Sequence, residues 1–117
     1  MSQFNYESAL LEPVAGYFGR RGYRCQGTEI QFFEYRIDMY GVAQRSHNTV
    51  AVELKLSKWR RALKQALVYQ LCADEVFIAM PRSICKRVNL DELKEHGVGL
   101  LAVADNVFDL HSNVLPL

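Results

Sequence analysis

The sequence has few of the residues that mark specialised classes of protein. Its three cysteines, at positions 25, 72 and 85, are an odd number whose spacings fit neither a disulfide framework nor a zinc ribbon. Only three residues are proline and 50% are apolar, a composition that excludes disordered and fibrous chains. We therefore expect a globular protein with reduced thiols.

Long apolar runs and leader segments are also lacking. The longest uncharged apolar stretch, residues 98–104, is far too short to span a bilayer. The first residues have no basic region leading into an apolar core, so they do not resemble a secretory signal. These absences predict a cytoplasmic protein with no membrane partner.

A large excess of charge is missing as well. The formal net charge is +1 over 117 residues, so any nucleic-acid site must come from local clusters of charge. The length suits a single domain over residues 1–117, and neither an internal repeat nor a linker rich in Pro, Gly or Ser divides it.

Apolar periodicity predicts an α/β protein with a central mixed β-sheet flanked by helices. A first helix spans residues 5–21, where Pro13 either makes the first turn irregular or delays the regular helix to about Glu12. The polar turn at residues 45–48 has hairpin length, so the strands on either side of it should pair antiparallel. Three strands are predicted after the first helix, at residues 23–30, 33–43 and 49–56.

Helices and strands alternate in the second half of the chain. Ser57 is expected to cap a second helix, and the strand that follows this helix should pair parallel with the strand before it. The remaining predicted elements are a buried strand at residues 75–80, a helix from Asn89 or Asp91 to His96, and a strand at residues 99–104, with no element assigned after Asp105.

Charged residues interrupt the third predicted strand. Glu53 and Lys55 are two residues apart and share one face, while Val52 and Leu54 occupy the other. In a strand covered on both faces such groups are costly unless they are paired, hydrated or bound to metal. The simpler explanation is a salt bridge within the strand, and the functional explanation is a site.

An antiparallel neighbour can bring Asp38, on the second strand, beside Glu53. Two crowded carboxylates repel each other unless a proton or a cation lies between them. Asp38, Glu53 and the carbonyl of Leu54 could supply oxygen ligands to Mg²⁺, or to Mn²⁺ in its place. The ion would polarise a phosphodiester and lower the pKa of its bound water, and Lys55 would orient that water.

Three segments carry a family resemblance. "RID" at residues 36–38 and "VELKLS" at residues 52–57 resemble the D…ExK signature of the PD-(D/E)XK nuclease superfamily. "QALVY" at residues 65–69 resembles the QxxxY motif of its RecB-like branch. No proline precedes Asp38, because Ile37 stands there, but the family tolerates that position loosely.

This resemblance implies a restriction endonuclease-like αβββαβ core and a metal-dependent nuclease activity. It assigns catalytic roles to Asp38, Glu53 and Lys55. It also implies that Gln65 and Tyr69 border the active site and help to position substrate.

The resemblance extends to the first helix. The opening "ESALLEPVAGYFGRRGY" is similar to the first helix of small members, in which an early glutamate adds a metal ligand. Glu7 is the better match to that glutamate, with Glu12 as its rival. The two lie about 140° apart round an ideal helix, so they cannot both face one site, and one of them is then a surface acid.

A basic strip continues from Lys55 along the second helix. Next to a metal site, such a strip could hold a phosphate backbone without reading base sequence. A solvated helix face is the simpler explanation. The strip consists of Lys58, Arg60, Arg61 and Lys64.

The first hypothesis is a Mg²⁺-dependent phosphodiesterase that hydrolyses DNA, with a homodimer supplying a second cleavage centre. The alternative is a nuclease-fold module that binds nucleic acid or a protein partner without cutting it. An intact set of Asp38, Glu53 and Lys55 favours the enzyme. A flavodoxin-like domain is disfavoured because no glycine-rich phosphate loop follows the first strand. The sequence leaves open DNA or RNA, single or double strands, and endonuclease or exonuclease action.

Overall fold

A computed structural model describes residues 4–110, which contain both helices and strands. The helical elements are a 3₁₀ turn at Glu7–Leu10 and the α-helices α1 (Leu11–Arg20), α2 (Trp59–Tyr69), α3 (Arg82–Cys85) and α4 (Leu90–Glu95). The strands are β1 (Tyr23–Phe32), β2 (Tyr35–Ala43), β3 (Thr49–Leu54), β4 (Glu75–Pro81), β5 (Val98–Val103) and β6 (Val107–Asp109). The predicted single domain also includes residues 1–3 and 111–117, which lie outside the described residues.

The strands of the described range form one mixed sheet in the order β1-β2-β3-β4-β5-β6. β1, β2 and β3 pair antiparallel, as the polar turn predicted for the last two. β3, β4 and β5 pair parallel, and β6 returns antiparallel along β5. The α/β class, the mixed sheet and the parallel pair across α2 are therefore confirmed.

Apolar residues form a separate core on each face of the sheet. On one face, α1 packs Val14 and Phe18 against the central strands. On the other face, α2 contributes Leu63 and Ala66 to a second cluster. Because β3 is covered on both sides, a charged residue there is shielded from water, and within residues 4–110 Glu53 is the one charged residue that is buried, at 3% exposure.

The first helix begins as Pro13 predicts. Residues Glu7–Leu10 form a 3₁₀ turn, and regular α-helix starts at Leu11. Pro13 lies in the first turn of α1, where a backbone N–H has no partner within the helix, so its missing donor breaks no helical hydrogen bond. The irregular start places Glu7 outside the regular helix.

One prediction near an element end is wrong, and two short elements were not predicted. Ser57 does not cap α2, because Lys58 occupies the N-cap position with φ of 59° and no side chain supplies a capping bond there. The chain after Asp105 contains β6, a strand too short for its alternation to stand out in the sequence. The four-residue helix α3 escapes prediction for the same reason.

The helices within residues 4–110 are short and depend on caps and packing. Asn89 accepts a hydrogen bond from the backbone N–H of Glu92 at 3.1 Å, so α4 begins after Asn89 rather than after Asp91. None of the described helices has the length and apolar character that crossing a membrane requires.

Candidate active site

A short hydrogen bond joins Asp38 to the end of β3. Asp38 precedes Met39, which pairs with Val52, and its Oδ2 accepts from the backbone N–H of Leu54 at 2.7 Å. The N–H and C=O of one strand residue point to the same side, so the Leu54 carbonyl also faces the side on which Asp38 lies. The hairpin thus brings a carboxylate and a carbonyl together.

Glu53 and Lys55 share one face of the sheet, as strand alternation predicted. Lys55 Nζ lies 3.6 Å from Glu53 Oε2, and the two side chains are 16% and 4% exposed. The backbone N–H of Lys55 donates to the Ala79 carbonyl of β4 at 3.0 Å, which holds this end of β3 in place. The result is an ion pair that has lost most of its hydration.

The Tyr69 hydroxyl lies between β2 and β3. It donates to the Arg36 carbonyl at 2.7 Å and lies 2.8 Å from Glu53 Oε1. A phenol has one proton, so both contacts are hydrogen bonds when Glu53 carries a proton and donates it to the Tyr69 oxygen. Burial, followed by the charge of Glu53, raises the pKa of Tyr69, so the phenol keeps its own proton.

Burial and a neighbouring charge raise the pKa of Glu53 to about 7. Removal from water is the largest cause, and the negative charge of Asp38 adds to it. The Tyr69 hydroxyl and the Lys55 ammonium group act in the opposite direction without cancelling the shift. The carboxyl groups of Asp38 and Glu53 therefore favour a proton or a cation between them.

Glu7 is the acid of the first helical segment that reaches this place. Its Oε2 lies 3.4 Å from the backbone N of Leu56, which donates to it. Burial, the largest cause, and then the charge of Glu7 raise the pKa of Asp38. Glu7, Asp38 and Leu54 line one cavity of about 270 Å³. Glu12 is exposed and lines a different cavity, between α1 and the turn before β6, so Glu7 is the acid beside Asp38.

Gln65 lies one turn before Tyr69 on α2, at the spacing of the QxxxY motif. Its Oε1 is buried and has no hydrogen-bond partner within the described part of the chain. A buried acceptor without a donor is a place where water or a substrate group gains a hydrogen bond. Tyr69 contacts Glu53 directly. Gln65 is connected to the other site residues only by its place on α2, one turn before Tyr69.

The predicted basic strip on α2 divides into two parts. Lys58, Arg61 and Lys64 are exposed. Arg60 turns toward α4, where its guanidinium NH1 lies 3.1 Å from both carboxylate oxygens of Glu92. All four cations therefore face solvent, and Arg60, whose side chain is 68% exposed, also pairs with Glu92.

Sequence reasoning missed two residues of the hairpin, Thr28 and Glu29. Both line the cavity that contains Glu7 and Asp38. Glu29 lies between positions that pair with the neighbours of Asp38, so it is opposite Asp38 across the hairpin. The register would follow from the sequence if the tight turn at residues 33–34 could be recognised there. Those residues lack the Asn-Gly or Gly-rich signal of such a turn.

The donors around Asp38 have the chemistry of a site for a hard divalent cation. Asp38, Glu53 and the Leu54 carbonyl present oxygen atoms, and the raised pKa of Glu53 indicates that Lys55 alone does not balance their charge. Within residues 4–110, no three side chains of His, Cys, Asp or Glu form a group that could hold a metal ion. A cation here would therefore keep several waters, as Mg²⁺ does when one or two carboxylates bind it.

Comparison with known proteins supports the fold. No protein-family model matches the chain, and no curated protein sequence matches it. The structure of a protein of unknown function from Silicibacter pomeroyi has a TM-score of 0.68 at 19% identity, and the match covers 86% of this chain and 66% of that one. A repair endonuclease from Pyrococcus abyssi has a TM-score of 0.59 at 16% identity, with coverage of 88% and 49%. The chain spans only part of each protein, and the likeness shows a shared α/β fold.

Proposed function

We propose that this chain is a metal-dependent nuclease of the PD-(D/E)XK type, with the QxxxY motif of the RecB-like branch. The observation that carries the proposal is the convergence of Asp38, Glu53 and Lys55 at the carboxyl end of β3. Two carboxyl groups from different strands share this place with one ammonium group. The likeness of the fold to a repair endonuclease agrees with the proposal.

A salt bridge within the strand explains this arrangement poorly. A buried ion pair tolerates its lost hydration when each charge is balanced. Here the Lys55 ammonium group faces the carboxyl groups of both Glu53 and Asp38, and the pKa of Glu53 is raised rather than lowered. This imbalance suits a site that binds a cation better than a pair kept for stability.

In the proposed mechanism, Asp38, Glu53 and the Leu54 carbonyl would hold Mg²⁺, with Mn²⁺ as a substitute. Glu7 would become a further ligand only if the ion drew its side chain closer, because no three acids are grouped within residues 4–110. The ion would polarise the scissile phosphate and lower the pKa of water. Lys55 orients the attacking water and offsets the negative charge that develops on the phosphate. The remaining site residues position these groups: Tyr69 holds the Glu53 carboxyl group, and Gln65 offers its free acceptor to water or substrate.

The proposed substrate is DNA, held through its backbone. Lys58, Arg61 and Lys64 are exposed along α2, the helix that follows Lys55, and can contact successive phosphates. Arg60 adds positive charge beside them while it contacts Glu92. A homodimer would supply a second cleavage centre for the second strand of a duplex.

The test is cleavage by the purified chain and by Lys55→Ala. Plasmid, linear duplex DNA, single-stranded DNA and RNA are incubated with Mg²⁺, Mn²⁺ or a chelator. We expect cleavage with metal and none with chelator. Lys55→Ala should lower the rate about 10²-fold to 10³-fold, because one group that stabilises developing charge is removed.

Lys94→Ala is the matched control. Lys94 belongs to α4 and lines a cavity with Glu75, the first residue of β4. The cavity therefore lies at the amino ends of the parallel strands, whereas the candidate site lies at their carboxyl ends. This variant should cleave as fast as the native chain. Cleavage that survives in Lys55→Ala would contradict the mechanism. Binding of nucleic acid without cleavage of any substrate would instead favour the non-catalytic binding module.

A further inference from the structure

The β1–β2 hairpin ends in an exposed aromatic residue. Phe32 pairs with Tyr35, so only Phe33 and Glu34 form the turn. The Phe33 residue is 69% exposed, which is unusual for a side chain of this size and polarity. The tip of the hairpin therefore presents a phenyl ring to solvent.

The backbone at the tip makes this choice of residue unfavourable for stability. Phe33 has φ of 55°, in the left-handed region that favours glycine and that a bulky residue rarely adopts. The Gln31 side-chain amide donates to the Phe33 carbonyl at 2.7 Å and helps to hold this conformation. The Phe32 ring packs edge to face against the Phe33 ring, with centroids 4.7 Å apart. The ring is thus held in place at a position where a glycine would be more favourable for the stability of the fold.

The hairpin tip lies beyond the end of β3, the end at which the proposed active site is located. The register of β2 on β3 places Ile37 opposite Leu54, the last residue of β3, so the part of β2 before Ile37 extends past the end of β3. The Arg36 carbonyl, between the tip and Asp38, accepts the hydrogen bond of Tyr69. Phe33 and Asp38 are five positions apart and the first of these steps lies in the turn, so the distance between them is at most about 17 Å at about 3.4 Å per residue.

The charges near the tip favour a base over a phosphate. Glu34 follows Phe33 in the turn and is exposed, whereas Glu29 on the neighbouring strand pairs with Arg36, whose guanidinium NH1 lies 3.4 Å from Glu29 Oε1. The Glu34 carboxylate repels phosphate, whereas the face of the phenyl ring can stack on any base. Bases inside a duplex already stack on one another, so the base that reaches Phe33 must be unpaired.

We infer that Phe33 is a stacking platform for an unpaired base of the nucleic acid substrate. The inference rests on the proposed function, which brings a strand of nucleic acid to Asp38 and Glu53. A distance of at most about 17 Å corresponds to at most about five nucleotides at about 3.4 Å per nucleotide of a stacked strand. The platform therefore binds a nucleotide several positions away from the scissile phosphate, and it selects substrates that have a single-stranded stretch there.

The experiment measures binding separately from cleavage. Full-length chains that carry Lys55→Ala are mixed with single-stranded DNA in Mg²⁺, and one adenine is replaced by 2-aminopurine at each position in turn. We expect the fluorescence of 2-aminopurine to change at one short run of positions in the DNA, and this change should require the Phe33 ring. Phe33→Gly should abolish that change and weaken binding about 5-fold to 150-fold, while Phe33→Trp keeps both.

His47→Gly is the matched control for strain. His47 is an exposed turn residue with φ of 63°, in the turn at the other end of β2. Both glycine variants should raise the urea midpoint, but only Phe33→Gly should lose affinity for single-stranded DNA. Binding of a fully paired duplex should be the same in both variants.

Three results would overturn the inference. If Phe33→Gly binds single-stranded DNA as tightly as the parent while the native chain cleaves DNA, the platform is excluded and the nuclease function stands. If the native chain neither binds nor cleaves any nucleic acid, the proposed function fails and the platform with it. If Phe33→Gly changes only the mass of the particle in light scattering, the tip contacts a second copy of the chain instead.

Discussion

The parallel strands and the β1–β2 hairpin differ in how their residues are stabilised. In β3, β4 and β5 nearly every residue is buried, because helices cover both faces of the sheet. In β1 every residue is exposed or half-buried, and the strand lies at the edge of the sheet. Among the described residues, the non-glycine positions with positive φ also lie outside the parallel strands, at Glu29, Phe33, His47 and Lys58.

The candidate site lies where these two regions meet. Glu53 lies at the end of the central strand β3 and Lys55 directly follows that strand, whereas Asp38 belongs to the hairpin. The buried strands can hold an ion pair that would be weak in water, and the hairpin can present residues whose conformations are unfavourable for folding. The buried parallel strands therefore make the site rigid, and the exposed hairpin of the same sheet gives access to it.

The same substitution, Ile to Ala, should lower the free energy of unfolding far more in the parallel strands than in the hairpin. Ile78 of β4 is fully buried, so Ile78→Ala should leave a cavity and lower the free energy of unfolding by about 3 kcal/mol. Ile30 of β1 is half-buried, so Ile30→Ala should cost at most about 1 kcal/mol. Urea denaturation followed by circular dichroism measures both, and equal losses would erase the contrast.

The second prediction concerns pH and the buried end of the parallel region. The pKa of Glu53 is raised from 4.5 to about 7, so between these values the folded chain holds a proton that the unfolded chain has released. Stability from this group is complete below about pH 4.5 and falls as the pH rises to about 7, by about 3 kcal/mol in the metal-free protein. Glu53→Gln should lack this fall.

Urea denaturation of the native chain and of Glu53→Gln, in chelator and across this pH range, measures the difference. We expect the native chain to lose stability relative to the variant as the pH rises. Mg²⁺ should restore part of that loss near pH 8, where its ligands are ionised. Two curves that stay parallel across the range would show that Glu53 ionises as an ordinary carboxyl group.

The third prediction tests the contact that joins the two regions. Tyr69→Phe removes the hydroxyl between the Arg36 carbonyl and Glu53, so the free energy of unfolding should fall by about 2 kcal/mol and cleavage should slow. Tyr40→Phe is the control, because the Tyr40 hydroxyl donates to the Cys72 carbonyl at 2.9 Å without touching Glu53. It should lower stability alone, and an equal loss of cleavage in both variants would separate Tyr69 from the site.

The smallest expected effect concerns Lys58, which lies outside the parallel strands. Because its φ is 59°, Lys58→Gly should raise the free energy of unfolding by about 1 kcal/mol. The same change removes a positive charge from the basic strip, so affinity for DNA should fall and its salt dependence should become weaker. Lower stability in this variant would show that the Lys58 side chain supports the fold through its packing.

The strands of the site could be predicted from the sequence because their signals are local. Alternation placed Glu53 and Lys55 on one face, and a polar turn joined β2 to β3, which brought Asp38 beside them. Pro13 likewise announced the irregular start that holds Glu7 near Asp38. Each of these inferences used residues that are close in sequence or lie on adjacent strands.

The parts that escaped prediction depend on distant contacts or on unfavourable local conformations. Arg60 turns to Glu92, 32 residues away, because α2 and α4 cover the same core cluster. Lys58 takes the N-cap position that sequence preference gives to Ser57, and nothing in the local pattern announces a lysine with positive φ. Glu29 lies opposite Asp38 because a turn forms at Phe33, a residue that turns rarely use.

The sequential order of the strands has a consequence for how the chain folds. Each strand pairs with the strand that precedes it along the chain, so every new strand finds its partner already formed. The hydrogen bonds from Leu54 to Asp38 and from Tyr69 to Glu53 each span only 16 residues. Contacts of such short separation form quickly. The acidic pair and its tyrosine are therefore joined by contacts of the kind that speeds the folding of small domains.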